Sequence, residues 1–281
     1  MALFSSALVF SITNLFVKLA GTQFSGLFIS GSRFLLGALL AAAVVIARRT
    51  RLEKALLPTV ILRGLFGSLS MILTYLAIGL TGPGRAVLLT NTYPVFVTIF
   101  GALIFRERTT KRVVASLALC VVGAVLVVRD GSGANLLGDL LALGGSIFAG
   151  LAVNFVRRAS KAGVDPFLLY LSPSLFGLPI LAFAVFPTAN PGPLPLFFLL
   201  GVGIGAFLAQ VLMAAGYRKV SAGRGSIVFF LETGLTVLLG ALFAAESLTL
   251  RFGFGLLLIF AGIWWNRGGE KSEETVSTAR S

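Results

Sequence analysis

The sequence predicts an all-α polytopic membrane protein: ten transmembrane helices arranged as two inverted five-helix repeats. Three observations lead there. Of 281 residues, 57% are hydrophobic and only 12% charged. Apolar runs of about 20 residues, the length that spans ~30 Å of hydrocarbon, follow one another almost without pause. The second half of the chain echoes the first at an offset of 139 to 140 residues.

In chain order the predicted spans are 3–20, 25–47, 56–80, 86–105, 112–129, 136–157, 166–187, 194–217, 224–245 and 250–266. The basic residues justify this order. Placing the N-terminus inside puts Arg48, Arg49, Arg51 and Lys54 after span 2, and Arg106, Arg108, Lys111 and Arg112 after span 4. Arg157, Arg158 and Lys161 then follow span 6, Arg218, Lys219 and Arg224 follow span 8, and Arg267, Lys271 and Arg280 follow span 10. The opposite side keeps only Lys18, Arg85, Arg129 and Arg251, with Arg33 and Arg63 inside spans. Cytoplasmic loops concentrate Lys and Arg, so both termini are expected in the cytoplasm, and the net charge of +13 is a topology determinant rather than a nucleic-acid footprint. Residues 1–6 lack the basic n-region of a cleavable signal. The chain divides into residues 1–130, the first repeat, residues 131–267, the second, and a polar tail, 268–281, expected to be disordered and cytoplasmic.

The repeat is specific where chance would not be. At an offset of 139, Gly84–Gly123 aligns with Gly223–Gly262 without a gap, and 11 of 40 positions are identical. Matches between unrelated apolar helices would favour Leu, Val and Ala, whereas these include Gly84-Arg85 with Gly223-Arg224, Gly101 with Gly240, and Glu107 with Glu246. At an offset of 140, Ser6 falls on Ser146 and Asn14 on Asn154. The same alignment predicts that the first helix begins a few residues before Met1. An odd number of crossings per copy turns the copies upside down relative to each other, an arrangement found in carriers that alternate access around a central site.

Gly82-Pro83-Gly84-Arg85-Ala86, then Tyr93-Pro94-Val95, then Arg106-Glu107-Arg108, with the echo ending at Glu246, resemble the drug/metabolite transporter superfamily, specifically its EamA-type branch. The resemblance implies a ten-helix bundle of inverted repeats that moves small metabolites, with bacterial amino-acid exporters prominent among the members. It also implies a cavity lined mainly by the first four helices of each half, the fifth being peripheral. Small four-helix members couple to protons through a first-helix glutamate, and this first helix has no acidic residue.

Ionisable groups deep in a bilayer usually face a cavity or a partner. Arg33, about 12 Å into helix 2, and Glu232, about 12 Å into helix 9, both approach the midplane at ~1.5 Å per residue. Together they offer a cation for a carboxylate and an anion for an ammonium, as a zwitterion needs; the structural alternative is that they pair with each other to hold the bundle. Without a cationic partner, Glu232 would be the candidate proton carrier within the membrane. The repeat maps Tyr93 onto Glu232, so the two are expected to face each other. Pro94 should kink helix 4, with Gly234 at the matching place in helix 9, and the two are candidate hinges. Tyr75, Thr90, Asn91, Tyr170 and Gln210 are polar groups within spans, available to substrate or to a neighbouring helix. Asn14 and Asn154 are expected to cap or pack, and Glu107 and Glu246 to sit near the N-termini of the helices that follow them. Trp264 and Trp265 suit an interfacial belt.

An enzyme is not expected. The chain has no histidine, a single cysteine, Cys120, inside a span, and no H-E-x-x-H or G-x-S-x-G motif. No cofactor, metal or ATP site is implied. A channel would more often ring its pore with symmetric subunits. The expected function is a secondary carrier that exports amino acids, aromatic ones included, across a bacterial inner membrane by alternating access; a carrier of nucleosides, vitamins or organic cations, or a channel-like permease, is the alternative. The expected partners are a small-molecule substrate and the lipid bilayer, with no nucleic acid and with the chain acting as a monomer.

Overall fold

The computed structural model describes residues 1–81, 86, 89–107, 109–127, 135–184, 192–243 and 250–267. The Gly82-Pro83-Gly84-Arg85 motif, Arg108, Arg129, Glu246 and the tail 268–281 lie outside the described residues. Secondary structure among the described residues is helical: α1 (Ala2–Ala20), α2 (Gly26–Ala47), α3 (Leu57–Thr81), α4 (Tyr93–Leu103), α5 (Lys111–Val127), α6 (Leu136–Lys161), α7 (Pro166–Gly177), α8 (Pro193–Tyr217), a short α9 (Ala222–Ile227), α10 (Phe230–Phe243) and α11 (Leu250–Arg267). Six helical stretches among these residues are long and apolar enough to cross a membrane, and Tyr93–Leu103 and Gly253–Trp265 are shorter apolar helices.

Local chemistry sets the helix starts. Ser25 accepts from the Phe28 amide at 3.3 Å, Asn135 from Gly138 at 3.1 Å and Asp165 from Phe167 at 2.8 Å, each satisfying an amide that the first turn would otherwise leave open. Proline occupies the first turn of α4, α7 and α8, where its missing N–H costs nothing. Gly163, at φ +86°, supplies the left-handed turn after α6 that a side chain would strain.

Leucine, isoleucine and phenylalanine cover much of the outside; Leu39, Leu103, Phe197, Phe243 and Leu257 all stand exposed. In water that surface would aggregate, and in a bilayer it is the solvated face. Trp264 and Trp265 are exposed at the end of α11, beside the arginine-rich end of the bundle, and the Trp265 carbonyl accepts from Arg112 Nε at 2.6 Å.

Packing inside is close and uses small residues, as expected where lipid removes most of the hydrophobic drive between helices. The packing follows the sequence repeat. Under the 139–140 offset α1 corresponds to α6 and α3 to α8, and α3 packs along α6 just as α1 packs along α8. Likewise α4 packs on α6 and α10 on α1, while α2 with α7 and α5 with α11 are pairings that the offset maps onto themselves. Ser70 Oγ donates to the Gly145 carbonyl at 2.7 Å across the first interface, and Ser6 Oγ to the Ala209 carbonyl at 2.8 Å across the second.

The fifth helices meet through repeat-matched glycines. A Cβ at Gly123 would strike the Gly255 carbonyl oxygen, and one at Gly262 would strike Cys120 Sγ and the Ser116 carbonyl. Replacing either by valine should push α5 and α11 apart and cost about 1–3 kcal/mol, read as a fall in Tm of the detergent-purified protein, whereas Gly253→Ala, where no atom stands in the way, should leave Tm within about 1 °C.

Candidate substrate site

Helix α2 carries Arg33 into the interior, 9% exposed, where its Nε and Nη2 have no hydrogen-bond partner. Tyr75 of α3 and Tyr170 of α7 are its aromatic neighbours, both buried, with hydroxyls that approach the guanidinium as hydrogen-bonding groups short of full bonding geometry. The Tyr170 hydroxyl also lacks a hydrogen-bond partner and lies against Gly37, where a Cβ would collide with it. Glycine therefore opens the place into which this phenol projects.

Arg63 of α3 is buried still more deeply, at 3% exposure, and lies within electrostatic reach of both Arg33 and Tyr170. Its Nη2 donates to Gln210 Oε1 on α8 at 2.9 Å, its Nε has no partner, and Nη1 folds over Gly67 of its own helix. Its position within a span marks Arg63 as an in-membrane cation without indicating a role. Two neighbouring guanidinium groups, neither paired with a carboxylate among the described residues, are costly to bury.

Glu232 stands in the first turn of α10, partly buried. Asn14 Nδ2 of α1 donates to its Oε1 at 2.9 Å and lies 3.3 Å from Thr236 Oγ1. Arg33 is within electrostatic range of Glu232 without forming an ion pair with it, so the carboxylate has a neutral donor rather than a cation as its direct partner. Asn14, expected to cap or pack, thus ties α1 to α10 at Glu232. The repeat had marked it, and its match Asn154 donates to the Val97 and Gly150 carbonyls instead, at 3.0 and 2.9 Å.

The other sequence candidates fall around these two poles. Asn91 Nδ2 donates to Thr233 Oγ1, beside Glu232, at 2.7 Å. Tyr93 is within electrostatic reach of Glu232 and packs on Phe229 with ring centroids 6.4 Å apart. Thr90 pairs with Thr74 at 3.3 Å and so joins α3 to the segment before α4.

Pro94 does not sit inside a helix: it occupies the first turn of α4, and the chain turns at Asn91 and Thr92. Proline is favoured there because its ring fits the first turn. Gly234 lies within α10, and the matching break falls ahead of it at Val228 and Phe229. Both breaks use i→i+3 bonds, Thr92 to Leu89 and Val95 to Thr92 in one, Val228 to Gly225 through Glu232 to Phe229 in the other. The helical ladder is tightened at the same place in each repeat.

At the arginine-rich end, Glu107 Oε2 accepts from the Ala222 amide at 2.9 Å and Oε1 lies 3.7 Å from Arg157 Nε. The carboxylate therefore serves the start of α9 rather than its own following helix, α5. Arg157 Nη1 reaches the Tyr217 and Arg218 carbonyls at 2.8 and 3.0 Å, closing the C-terminus of α8. Among the described residues no cluster of His, Cys, Asp and Glu could hold a metal ion.

A bundle of apolar helices that keeps opposite charges unpaired in its interior is the architecture of a polytopic membrane transporter. The chain belongs to the EamA-like transporter family, which matches residues 1–129 and 136–267. It is 26% identical to the mouse solute carrier family 35 member G1 over 94% of this chain and 73% of that protein. It is 25% identical to the pseudopaline exporter CntI of Pseudomonas aeruginosa over 93% of each chain. A solved crystal structure superposes with a TM-score of 0.77 at 19% identity, covering 94% of both chains, and supports the fold. The family and these relatives are transporters, not enzymes.

The Asn14–Glu232 contact predicts coupling between α1 and α10. Asn14→Ala should destabilise the protein by about 1–3 kcal/mol, and the cost should shrink by at least ~0.5 kcal/mol in a Glu232→Leu background, measured as a double-mutant cycle on unfolding in detergent.

Proposed function

We propose that this protein is a secondary carrier that exports small zwitterionic metabolites, amino acids and aromatic ones among them, across a bacterial inner membrane by alternating access. The observation that carries this reading is Arg33: a buried guanidinium with two unpartnered nitrogens, near a Glu232 carboxylate that takes its hydrogen bond from an amide. One pole suits a carboxylate through the planar guanidinium fork, the other an ammonium. Tyr170 and Tyr75 add hydroxyl and ring surface beside the first pole, while Tyr93 and Asn91 border the second.

Residues 1–130 and 131–267 act as the two halves, inverted relative to each other with both termini in the cytoplasm. The paired packing of α3 on α6 and α1 on α8 supports that relation. The i→i+3 breaks next to Pro94 and ahead of Gly234 act as the hinges about which α4 and α10 swing, since a tightened turn inside a span is the natural place to absorb a change in backbone angle. Export, rather than import, draws support from the pseudopaline exporter's name.

The test is uptake of labelled amino acids, nucleosides and organic cations into proteoliposomes, with and without a pH gradient. Saturable amino-acid flux should fall by at least ~10-fold in Arg33→Ala, the loss of a charge-assisted bidentate pair, and also fall in Glu232→Gln. Flux of another substrate class alone, or wild-type amino-acid flux in both variants, overturns the assignment.

A further inference from the structure

The site holds more positive charge than a neutral amino acid can answer. We infer that the substrate this site recognises best is an amino acid with two carboxylates, one taken by Arg33 and the other by Arg63, with its ammonium directed to Glu232. The inference rests on the zwitterion reading above and narrows it to a chemical class.

The charges fix the class. Arg33, Arg63 and Glu232 together carry +1, and a molecule with two carboxylates and one ammonium carries −1, so each charge of one meets an opposite charge of the other. A neutral amino acid satisfies Arg33 and Glu232 and leaves Arg63 buried without a counter-charge, the costly arrangement. A plain dicarboxylate satisfies both arginines but brings no cation to Glu232.

The hydrogen-bonding groups agree with the charges. Arg33 offers Nε and Nη2, Arg63 offers Nε, and the Tyr170 hydroxyl stands beside both. These four atoms, on α2, α3 and α7, are buried and make no hydrogen bond of full geometry, Arg33 and the Tyr170 hydroxyl lying against each other. A native interior rarely leaves so many donors open in one place unless a guest completes them. Gln210 fixes the remaining pole: its Oε1 accepts from Arg63 Nη2 at 2.9 Å and holds the guanidinium while leaving Nε free. A purely structural Arg63 would clamp α3 to α8 through that bond, and the open Nε would have no purpose.

The experiment compares L-glutamate, L-phenylalanine and glutarate in proteoliposomes of E. coli polar lipid, using the wild-type chain first. L-Glutamate should show saturable flux with a kcat/KM at least ~10-fold above that of L-phenylalanine and of glutarate, the worth of one charge-assisted pair. Arg63→Gln should erase most of the glutamate advantage, read as the ratio of the two kcat/KM values, and Arg63→Lys, which keeps the charge, should retain more of it, whereas a clamp would lower both fluxes together and leave the ratio unchanged. If L-phenylalanine moves as well as L-glutamate in the wild type, the two-carboxylate class is wrong and the zwitterion reading stands. If glutarate outruns L-glutamate, or neither amino acid moves, both fall. The wild-type comparison decides the matter even where the Arg63 variants do not fold.

Discussion

Two guanidinium groups held between helices, with no carboxylate among the described residues on either, set the terms for the rest of this structure. An unpaired charge moved out of water costs several kcal/mol even after relaxation, and nothing outside this bundle but lipid could repay it. The cost is met by enclosing the charges among groups of the right polarity. Gln210 steadies Arg63, the tyrosines of α3 and α7 border Arg33, and Asn14 gives Glu232 a neutral hydrogen-bond donor. Among the described residues, the buried charges are bordered by neutral polar groups and not by opposite charges.

The surrounding packing makes this enclosure rigid. Glycines 201, 203 and 205 of α8 let Phe16, Leu36 and Thr13 press against its backbone, so α1, α2 and α8 close on one another without a gap. Ser70 and Ser6 tie the two long interfaces by donating to facing carbonyls, at equivalent places in the two halves. Against this frame the breaks before α4 and within the α9–α10 segment stand out, because they interrupt the spans that carry Tyr93 and Glu232. Tightened i→i+3 turns thus fall beside the charged groups in both halves, while the long interfaces around them are continuous helix.

The helical membrane fold was legible because composition alone dictates it: runs such as Gly26–Ala47 and Pro193–Tyr217 have no stable place except a bilayer. Repeat-matched glycines were legible too: Gly123 of α5 packs on Gly255 and Ile259 of α11, and Gly262 of α11 packs on Ser116 and Cys120 of α5. Other features depend on contacts that no local pattern encodes. Arg63 lies only about 9 Å from its helix start at ~1.5 Å per residue, a depth that assigns it no role, and its bond to Gln210, 147 residues away, reveals that it points inward. Asn14 reaches Glu232 across 218 residues. Pro94 correctly announced an irregularity but not its form, since a proline favours the first turn of a new helix as readily as a kink in an old one.

If Arg33 is kept for a guest and not for the fold, removing its charge should cost function without costing stability. Thermal unfolding of purified Arg33→Met beside wild type, in detergent without substrate, measures this directly, because methionine fills similar space and asks for no partner. An equal or higher Tm together with loss of amino-acid flux is expected, the signature of a site held ready at the expense of stability. A fall of about 5 °C or more, on the order of 2 kcal/mol for a chain of this size, would make Arg33 a strut of the bundle and contradict the account.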